Sequence, residues 1–194
     1  KSTLLALLTG INTLTSGSLS VLNTDLVSLS ASQRDKFRAD HIGYIFQQFN
    51  LLPYLNVLEN VLLPCQFSQT RRGRAHSRVP SQTLEEQAQA LLERLHLPSE
   101  LHARPVSELS IGQQQRVAAA RALIGYPGLV IADEPTSALD HDNRKAFIEL
   151  LMEQTNQANA TLIFVSHDPT LEPLFDRTLN LPDINQASNL GAAS

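Results

Sequence analysis

Two neighbouring carboxylates, Asp133 and Glu134, have the clearest chemical meaning in this 194-residue chain. They follow residues 129–132, a short apolar run with the length and composition of a buried strand. At the end of such a strand, one carboxylate can hold a magnesium ion while the next polarises a water molecule for attack. We therefore predict that Asp133 contributes to a metal site and that Glu134 is a general base.

A second segment is suited to binding phosphate. The run LSIGQQQR, residues 109–116, places Ser110 and Gly112 at the predicted start of a helix, followed by Gln113. The first backbone N–H groups of a helix have no partner inside it, and the helix dipole makes that end attractive to anions. A metal-and-water element together with a phosphate-binding element predicts nucleotide hydrolysis.

Composition sets limits on other functions. The net charge of −4 gives no reason to expect nucleic-acid binding, and no run approaches the 18 apolar residues of a membrane span. Cys65, the one cysteine, has no companion for a disulfide or a zinc site. Histidines 41, 76, 96, 102 and 141 show no metal-ligand spacing. The length suits one domain, with room for an inserted subdomain.

The elements that position the candidate residues alternate between strand and helix. Residues 41–46, 129–132 and 161–165 are predicted strands, and residues 2–8, 32–39, 112–124 and 142–157 are predicted helices. This order indicates a layered α/β fold with a parallel sheet. Ligands bind such folds at the carboxyl ends of the strands. Gln47, the Asp133–Glu134 pair and His167 each follow a predicted strand there.

The middle of the chain shows helical patterns in place of the alternation of strands and helices. Residues 56–63 and 83–95 have apolar residues at helical spacing, without a strong strand signal between them. Residues 66–82 are polar and rich in arginine, so we expect a solvated, mobile loop there. The alternative is a segment that docks on lipid headgroups or on an acidic surface of a partner.

These motifs resemble those of ABC-type ATPases, in the order found in that family. LSIGQQQR is similar to the signature motif, LVIADEP to the Walker B strand and SALD, residues 137–140, to the D-loop. The start KST is similar to the end of a Walker A loop, YIFQQFNLLP to the Q-loop, and FVSHD to the switch-histidine region. The resemblance implies a P-loop NTPase (RecA-like) three-layer core, residues 1–50 and 116–194, with a helical subdomain inserted at residues 51–115.

The resemblance also implies roles for individual residues and for two cofactors, ATP and Mg²⁺. Gln48 is chemically identical to its neighbour Gln47, and only the family pattern favours Gln47. The resemblance implies that Lys1 contacts the β- and γ-phosphates, that Thr3 lies near the α-phosphate, and that Ser2, Gln47 and Asp133 bind magnesium. It implies phosphate contact for Ser110, Gly112 and Gln113, and a place at the dimer seam for Asp140. It implies that His167 contacts the γ-phosphate and the attacking water. Gln47 can also orient that water.

Two features depart from the family pattern. A P-loop reads G-x-x-x-x-G-K-[ST], and the chain begins at its lysine. We interpret the chain as lacking its first segment, with the N-terminal strands, the glycines and an aromatic that stacks on adenine, and expect it to be inactive alone. In the signature, Ile111 replaces the usual first glycine, and a β-branched residue resists positive φ. We expect this signature to be a working variant.

The resemblance implies an ATP-binding subunit of a transporter, peripheral on the cytoplasmic face of the plasma membrane. Its expected partners are transmembrane permease subunits and a second ATPase subunit, arranged head to tail with ATP between them. FNLLPYLNVLENVLLP is most similar to the branch that includes lipoprotein-releasing, macrolide-export and cell-division ATPases, and next to polar-amino-acid importers. The alternatives are a soluble ABC ATPase that acts on DNA or ribosomes, and a non-catalytic nucleotide-binding module.

Overall fold

The computed structural model describes residues 1–136 and 141–185, so Asp140, expected at the dimer seam, lies outside the described residues. The α-helices are α1 (Ser2–Leu8), α2 (Ala31–His41), α3 (Val57–Phe67), α4 (Gln69–Arg78), α5 (Leu84–Arg94), α6 (Ile111–Leu123), α7 (His141–Ala158) and α8 (Leu181–Ile184). The strands are β1 (Ser20–Val21), β2 (Thr24–Asp25), β3 (Ile42–Ile45), β4 (Leu129–Asp133) and β5 (Thr161–Val165). Short 3-10 helices cover Ser99–Leu101, Val106–Glu108 and Pro169–Leu174.

The sheet that carries the site is parallel, with the order β3-β4-β5. Ile45 of β3 pairs with Ala132 of β4, and Asp133 pairs with Val165 of β5. The three carboxyl ends are therefore side by side at one edge of the sheet. Strands β1 and β2 form a separate antiparallel pair. The three sheet strands lie where the sequence predicted them.

Side chains of the sheet alternate between its two faces, as the strand period of two requires. Leu129 and Ile131 pack with apolar residues of α1, α2 and β1. Val130 and Ala132 face the other way and pack with α3, α5, α6 and α7. The sheet is thus covered by helices on both faces, which confirms the predicted three-layer α/β architecture.

Capping boxes define the starts of four helices. Ser30, Asn56, Thr83 and Ser110 each accept a hydrogen bond from the N–H three residues on, and the Gln or Glu there bonds back to the cap. This reciprocal pairing satisfies two N–H groups that the helix leaves without partners. Residues 56 and 83, the predicted first residues of two helices, are these caps.

The prediction of a mobile loop at residues 66–82 is wrong. Residues 69–78 form α4, and Arg71 within it is only 2% exposed. The guanidinium of Arg71 donates to the carbonyl oxygens of Ala122, Ile124 and Ile42, at distances of 3.4, 3.1 and 2.5 Å. A count of charges along the sequence could not show this burial, because the partners are backbone groups from distant segments.

The other arginines of α4 also bind carbonyl groups near helix ends. Arg74 donates to Asp40 O in the last turn of α2 and to Tyr126 O just beyond α6. Arg78 donates to Gln157 O in the last turn of α7. Carbonyls at helix C-termini lack partners within the helix and carry the negative end of its dipole, so cations stabilise them. These contacts give the arginine run an internal structural role.

The helical segment packs on the sheet layers without a core of its own. Val57 and Val61 of α3 and Leu92 of α5 belong to one buried cluster with Val117 of α6 and Val130 of β4. The predicted boundary between the helical subdomain and the core, at residue 116, falls inside α6, and the helix is continuous there. No helix within residues 1–136 and 141–185 is long and apolar enough to cross a membrane.

Candidate active site

Lys1, Glu134 and His167 meet at the carboxyl edge of the sheet. Lys1 Nζ lies 3.6 Å from Glu134 Oε1 and donates to the carbonyl oxygen of Ser166 at 3.3 Å. Glu134 Oε1 lies 2.6 Å from His167 Nε2. These residues come from the start of α1 and from the ends of β4 and β5, so the fold joins three distant parts of the sequence.

Lys1 lies close to the imidazole of His167 as well as to Glu134. Lys1 Nζ is 3.0 Å from His167 Nδ1, and a lysine ammonium can only donate. Lys1 Nζ also lies 3.1 Å from His167 Nε2, the nitrogen that contacts Glu134. Glu134 is therefore held by an ion pair with Lys1 and by a close contact with His167.

Glu134 has an unusual backbone conformation. Its φ is +47°, in the left-handed region that non-glycine residues rarely adopt. The Glu134 N–H donates to Val165 O at 3.0 Å, which continues the sheet pairing one residue past β4. Strained backbone of this kind is concentrated at functional sites, where surrounding contacts enforce it. Here the strain turns the chain sharply at the predicted general base.

Asp133 has a partner that the sequence reasoning missed. The Tyr44 hydroxyl on neighbouring β3 lies 3.5 Å from Asp133 Oδ2, and the Tyr44 ring stacks on Phe46 at 4.2 Å between centroids. Burial, with the nearby Asp133 charge, raises the pKa of Tyr44 to about 12. Tyr44 therefore stays protonated and can donate to Asp133. The signal available in the sequence was the position of Tyr44 on a predicted strand next to the one that ends at Asp133.

A second missed pair supports the segment that carries His167. Arg144 of α7 donates from Nη1 to Asp168 Oδ2 at 2.5 Å. Asp168 caps the following 3-10 helix by accepting hydrogen bonds from Thr170. These hydrogen bonds are the main cause that lowers the pKa of the Asp168 carboxyl, and Arg144 lowers it further. The position of Asp168 directly after His167 in the sequence was the signal for it.

The other residues assigned to this edge lie at the surface. Ser2 and Thr3 are exposed at the start of α1, and Gln47 is exposed just past β3. Among the contacts between described residues, the Gln47 side chain makes no hydrogen bond to Lys1, Glu134 or His167. The structure thus brings Lys1, Glu134 and His167 into contact, and it leaves Gln47 at the same sheet edge without a described hydrogen bond to any of them.

The signature residues form a separate element. Ser110 Oγ accepts from the Gln113 N–H at 3.3 Å, and Gln113 Oε1 accepts from the Ser110 N–H at 2.9 Å. Ile111 is 56% exposed, and a Cβ at Gly112 would have only Arg116 Nη1 nearby, at 3.8 Å. No described hydrogen bond or ion pair links these residues to the Lys1, Glu134 and His167 cluster. The start of α6 is an open surface.

Comparison with known proteins identifies the family. The sequence profile described as "ABC transporter" matches residues 1–137. The chain belongs to the ABC transporter family. As an ABC ATP-binding domain it is a nucleotide-binding ATPase, and the predicted P-loop NTPase fold is confirmed.

Curated relatives and solved structures agree with this assignment. The lipoprotein-releasing system ATP-binding protein LolD of Hydrogenovibrio crunogenus is 40% identical over 94% of this chain and 75% of its own length. The uncharacterized ABC transporter ATP-binding protein YbbA of Escherichia coli K12 is 42% identical over 93% and 75%. The dimeric, post-hydrolysis ATP-binding cassette MJ0796 bound to ADP and Pi has a TM-score of 0.73, with 34% identity over 88% of this chain and 71% of that one.

The donor set at the sheet edge fits magnesium of the kind that accompanies a nucleotide. Among the described residues no group of three or more His, Cys, Asp or Glu side chains could hold a metal ion alone. Magnesium, however, usually takes only one or two protein oxygen ligands and completes its shell with water and substrate phosphates. Asp133 supplies a carboxylate of this kind, and Ser2 and Gln47 carry the further oxygen atoms that the resemblance assigns to the same ion.

Proposed function

We propose that this protein hydrolyses ATP at the Lys1, Glu134 and His167 cluster and that the reaction powers a membrane transporter. The observation that carries the proposal is the contact of Glu134 Oε1 with His167 Nε2 at 2.6 Å, beside the Lys1 ammonium. This arrangement combines a base, a residue that orients it and a cation for phosphate. It is what in-line attack of water on a phosphoryl group requires.

Each member of the cluster has a distinct role in the proposed reaction. Lys1 leaves its contact with Glu134 to bind the β- and γ-phosphates, and Thr3 lies near the α-phosphate. Glu134 accepts a proton from the attacking water, and His167 contacts that water and the γ-phosphate. Ser2, Gln47 and Asp133 would hold a magnesium ion, which would supply positive charge to the transferring phosphoryl group. The resting contacts of Lys1 keep these groups in place before nucleotide arrives.

The signature end of α6 is proposed to act on ATP bound to a second copy of the chain. Helix α6 approaches β3 at Ala122, and its start at Ser110 is about 18 Å farther along the helix axis at 1.5 Å per residue. The open surface at Gly112 leaves room for a phosphate brought by a partner. The resemblance of the chain to a dimeric cassette supports a head-to-tail pair, with Asp140 at the seam.

The proposed partners are transmembrane permease subunits, with the protein peripheral on the cytoplasmic face of the membrane. The 40% identity to a LolD supports the lipoprotein-release, macrolide-export and cell-division branch. The relatives in hand are transporter ATP-binding proteins, and the net charge of −4 gives no basis for a nucleic-acid partner. We therefore favour transport over action on DNA or ribosomes.

Mixing two inactive variants tests the shared site. Ser110→Arg damages the signature of one copy, and Lys1→Ala damages the phosphate site of the other, in protein expressed from its full reading frame. In a mixed dimer, one site collects both lesions and the other is intact, so ATPase activity should return on mixing. Each variant alone should be inactive, because every site in its homodimer is damaged.

The same mixture with Ser110→Arg and Lys1→Ala placed on one chain is the matched control. Mixing that double variant with wild type leaves every site of the mixed dimer with at least one lesion, so activity should fall below that of the wild type alone. Full turnover by either single variant would refute the shared site.

A further inference from the structure

The chain turns sharply after β3, directly beyond Gln47. Phe49 and Asn50 both have positive φ, +60° and +50°. Asparagine tolerates the left-handed region, but a bulky residue such as phenylalanine rarely adopts it. The Phe49 side chain is nonetheless buried in the core cluster, so this backbone conformation must be enforced by other contacts.

Arg121, in the last turn of α6, supplies those contacts. Its Nη2 donates to Phe49 O at 2.5 Å, and its Nη1 donates to Asn50 O at 2.6 Å. The planar guanidinium fork thus joins consecutive carbonyls of the strained turn. A lysine ammonium is a point donor and cannot reproduce this paired geometry.

Helix α6 also contacts β3 through Ala122, the residue that follows Arg121. A Cβ at Gly43 would lie 2.2 Å from Ala122 O, so the backbones of strand and helix touch there. The segment from Gly43 to Asn50 is therefore held by α6 at both ends, by backbone contact near the start of β3 and by Arg121 after its end. Gln47 lies between these two anchors.

From this geometry we infer that Arg121 is a positioning residue for ATP hydrolysis, because it fixes the turn that sets the place of Gln47. Arg121 does not reach the Lys1, Glu134 and His167 cluster through any described hydrogen bond, so it acts through the loop. It also ties that loop to the helix that begins at the signature. The catalytic part of the inference rests on the proposed role of Gln47.

Hydrogen exchange of the nucleotide-free protein tests the structural half. In Arg121→Gln, the amides of Phe49 and Asn50 should exchange at least about tenfold faster than in the wild type, because the turn opens locally. Amides inside β4 should be unchanged, and Arg121→Lys should give an intermediate rate. Arg94→Gln on α5 is the matched control, because the Arg94 side chain forms no described hydrogen bond or ion pair. Equal exchange in Arg121→Gln and wild type would overturn the inference.

Steady-state kinetics test the catalytic half in protein expressed from its full reading frame. Arg121→Gln should lower kcat with little change in KM, and it should cause no further loss in a Gln47→Ala background, since both changes remove the same contribution. A loss of the same size in both backgrounds would overturn the inference, because Arg121 would then act elsewhere. Full activity of Arg121→Lys, together with wild-type exchange of the Phe49 and Asn50 amides, would also overturn the inference. If Gln47→Ala alone keeps full turnover while Arg121→Gln speeds exchange, the error lies in the role proposed for Gln47.

Discussion

Gly43 and Ala122 bring the backbones of β3 and α6 into direct contact. A methyl group at position 43 would lie 2.2 Å from Ala122 O and 2.9 Å from its carbonyl carbon. The close approach is possible because this part of α6 carries small side chains, with Ala118, Ala119, Ala120 and Ala122 all buried. This contact fixes the distance between the strand that precedes Gln47 and the helix that begins at the signature.

We expect Gly43→Ala to destabilise the fold by about 3 kcal/mol, because a backbone carbonyl cannot move aside as a flexible side chain can. Gly73→Ala is the matched control, since Gly73 lies within α4 and a Cβ there would have nothing within 4 Å. That change should stabilise the protein by up to about 1 kcal/mol through higher helix propensity. Urea unfolding of both variants checks the pair. Equal stability of the two would show that the close approach is not maintained in solution.

Replacing Arg71 should be costly although it removes a buried charge. Arg71→Met leaves the carbonyls of Ile42, Ala122 and Ile124 without their donor, and we expect a loss of about 3 kcal/mol in the free energy of unfolding. Arg72→Met, in the next position of α4, removes one hydrogen bond from an exposed side chain and should cost less than about 1 kcal/mol. Similar losses for the two variants, measured by denaturant unfolding, would contradict the buried role of Arg71.

Stability should decrease when the pH falls below 6.5, in part because of His41. Burial, reinforced by Arg74, lowers its pKa below the usual 6.5, and Arg71 and Lys36 act in the same direction while Asp40 opposes them. In the interval between the folded and unfolded pKa values, the unfolded chain binds the proton more readily. The contribution of neutral His41 is therefore full above pH 6.5 and is lost as the pH falls through the folded pKa.

His41→Gln removes this titration and should flatten the decrease. The measurement is the difference in Tm between pH 7.5 and pH 5.5 for wild type and variant. His76→Gln, at an exposed position of α4, is the control and should leave the wild-type pH dependence in place. An identical pH dependence of wild type and His41→Gln would mean that His41 is not the group responsible.

Asp168 should affect turnover through His167. Asp168→Asn keeps an oxygen that can accept from Thr170 but loses the charge that pairs with Arg144 at 2.5 Å. We expect kcat to fall several-fold while Tm changes by only a few degrees, because the pair is partly exposed. Arg144→Gln should have a similar effect on kcat. If the activity falls only as much as the folded fraction of the protein falls, and kcat of the folded fraction is unchanged, Asp168 has a purely structural role.

Much of this fold was predictable because its signals are local. The parallel strands are short apolar runs, and Asn56 and Thr83 are recognisable caps with Glu three residues on. That Glu134 and His167 lie at one edge followed from the rule that strand ends share one edge of a parallel sheet, and the family resemblance assigned Lys1 to the same site. The catalytic, phosphate-binding and magnesium-binding roles of the site residues all remain predictions.

The features that the sequence did not reveal depend on contacts with backbone carbonyls. Arg71 and Arg121 each bind carbonyl oxygens from segments far away in the chain, and a carbonyl leaves no mark in the sequence. The arginine run of α4 therefore resembles a solvated loop until the helix ends around it are placed. Tyr44 was missed for a related reason, because its partner Asp133 comes from a neighbouring strand.

Glu134→Gln tests the central claim most directly, in protein expressed from its full reading frame. The amide keeps the shape of the side chain but cannot accept a proton from water, so hydrolysis should fall by at least about a hundredfold while nucleotide binding persists. The measurement is phosphate release in parallel with ATP binding, and Glu93→Gln, an exposed change on α5, should leave both unchanged. Loss of hydrolysis with retained binding, and a dimer trapped by ATP, is the predicted result. Wild-type phosphate release by Glu134→Gln would contradict the account and would reassign the base, with His167 the next candidate.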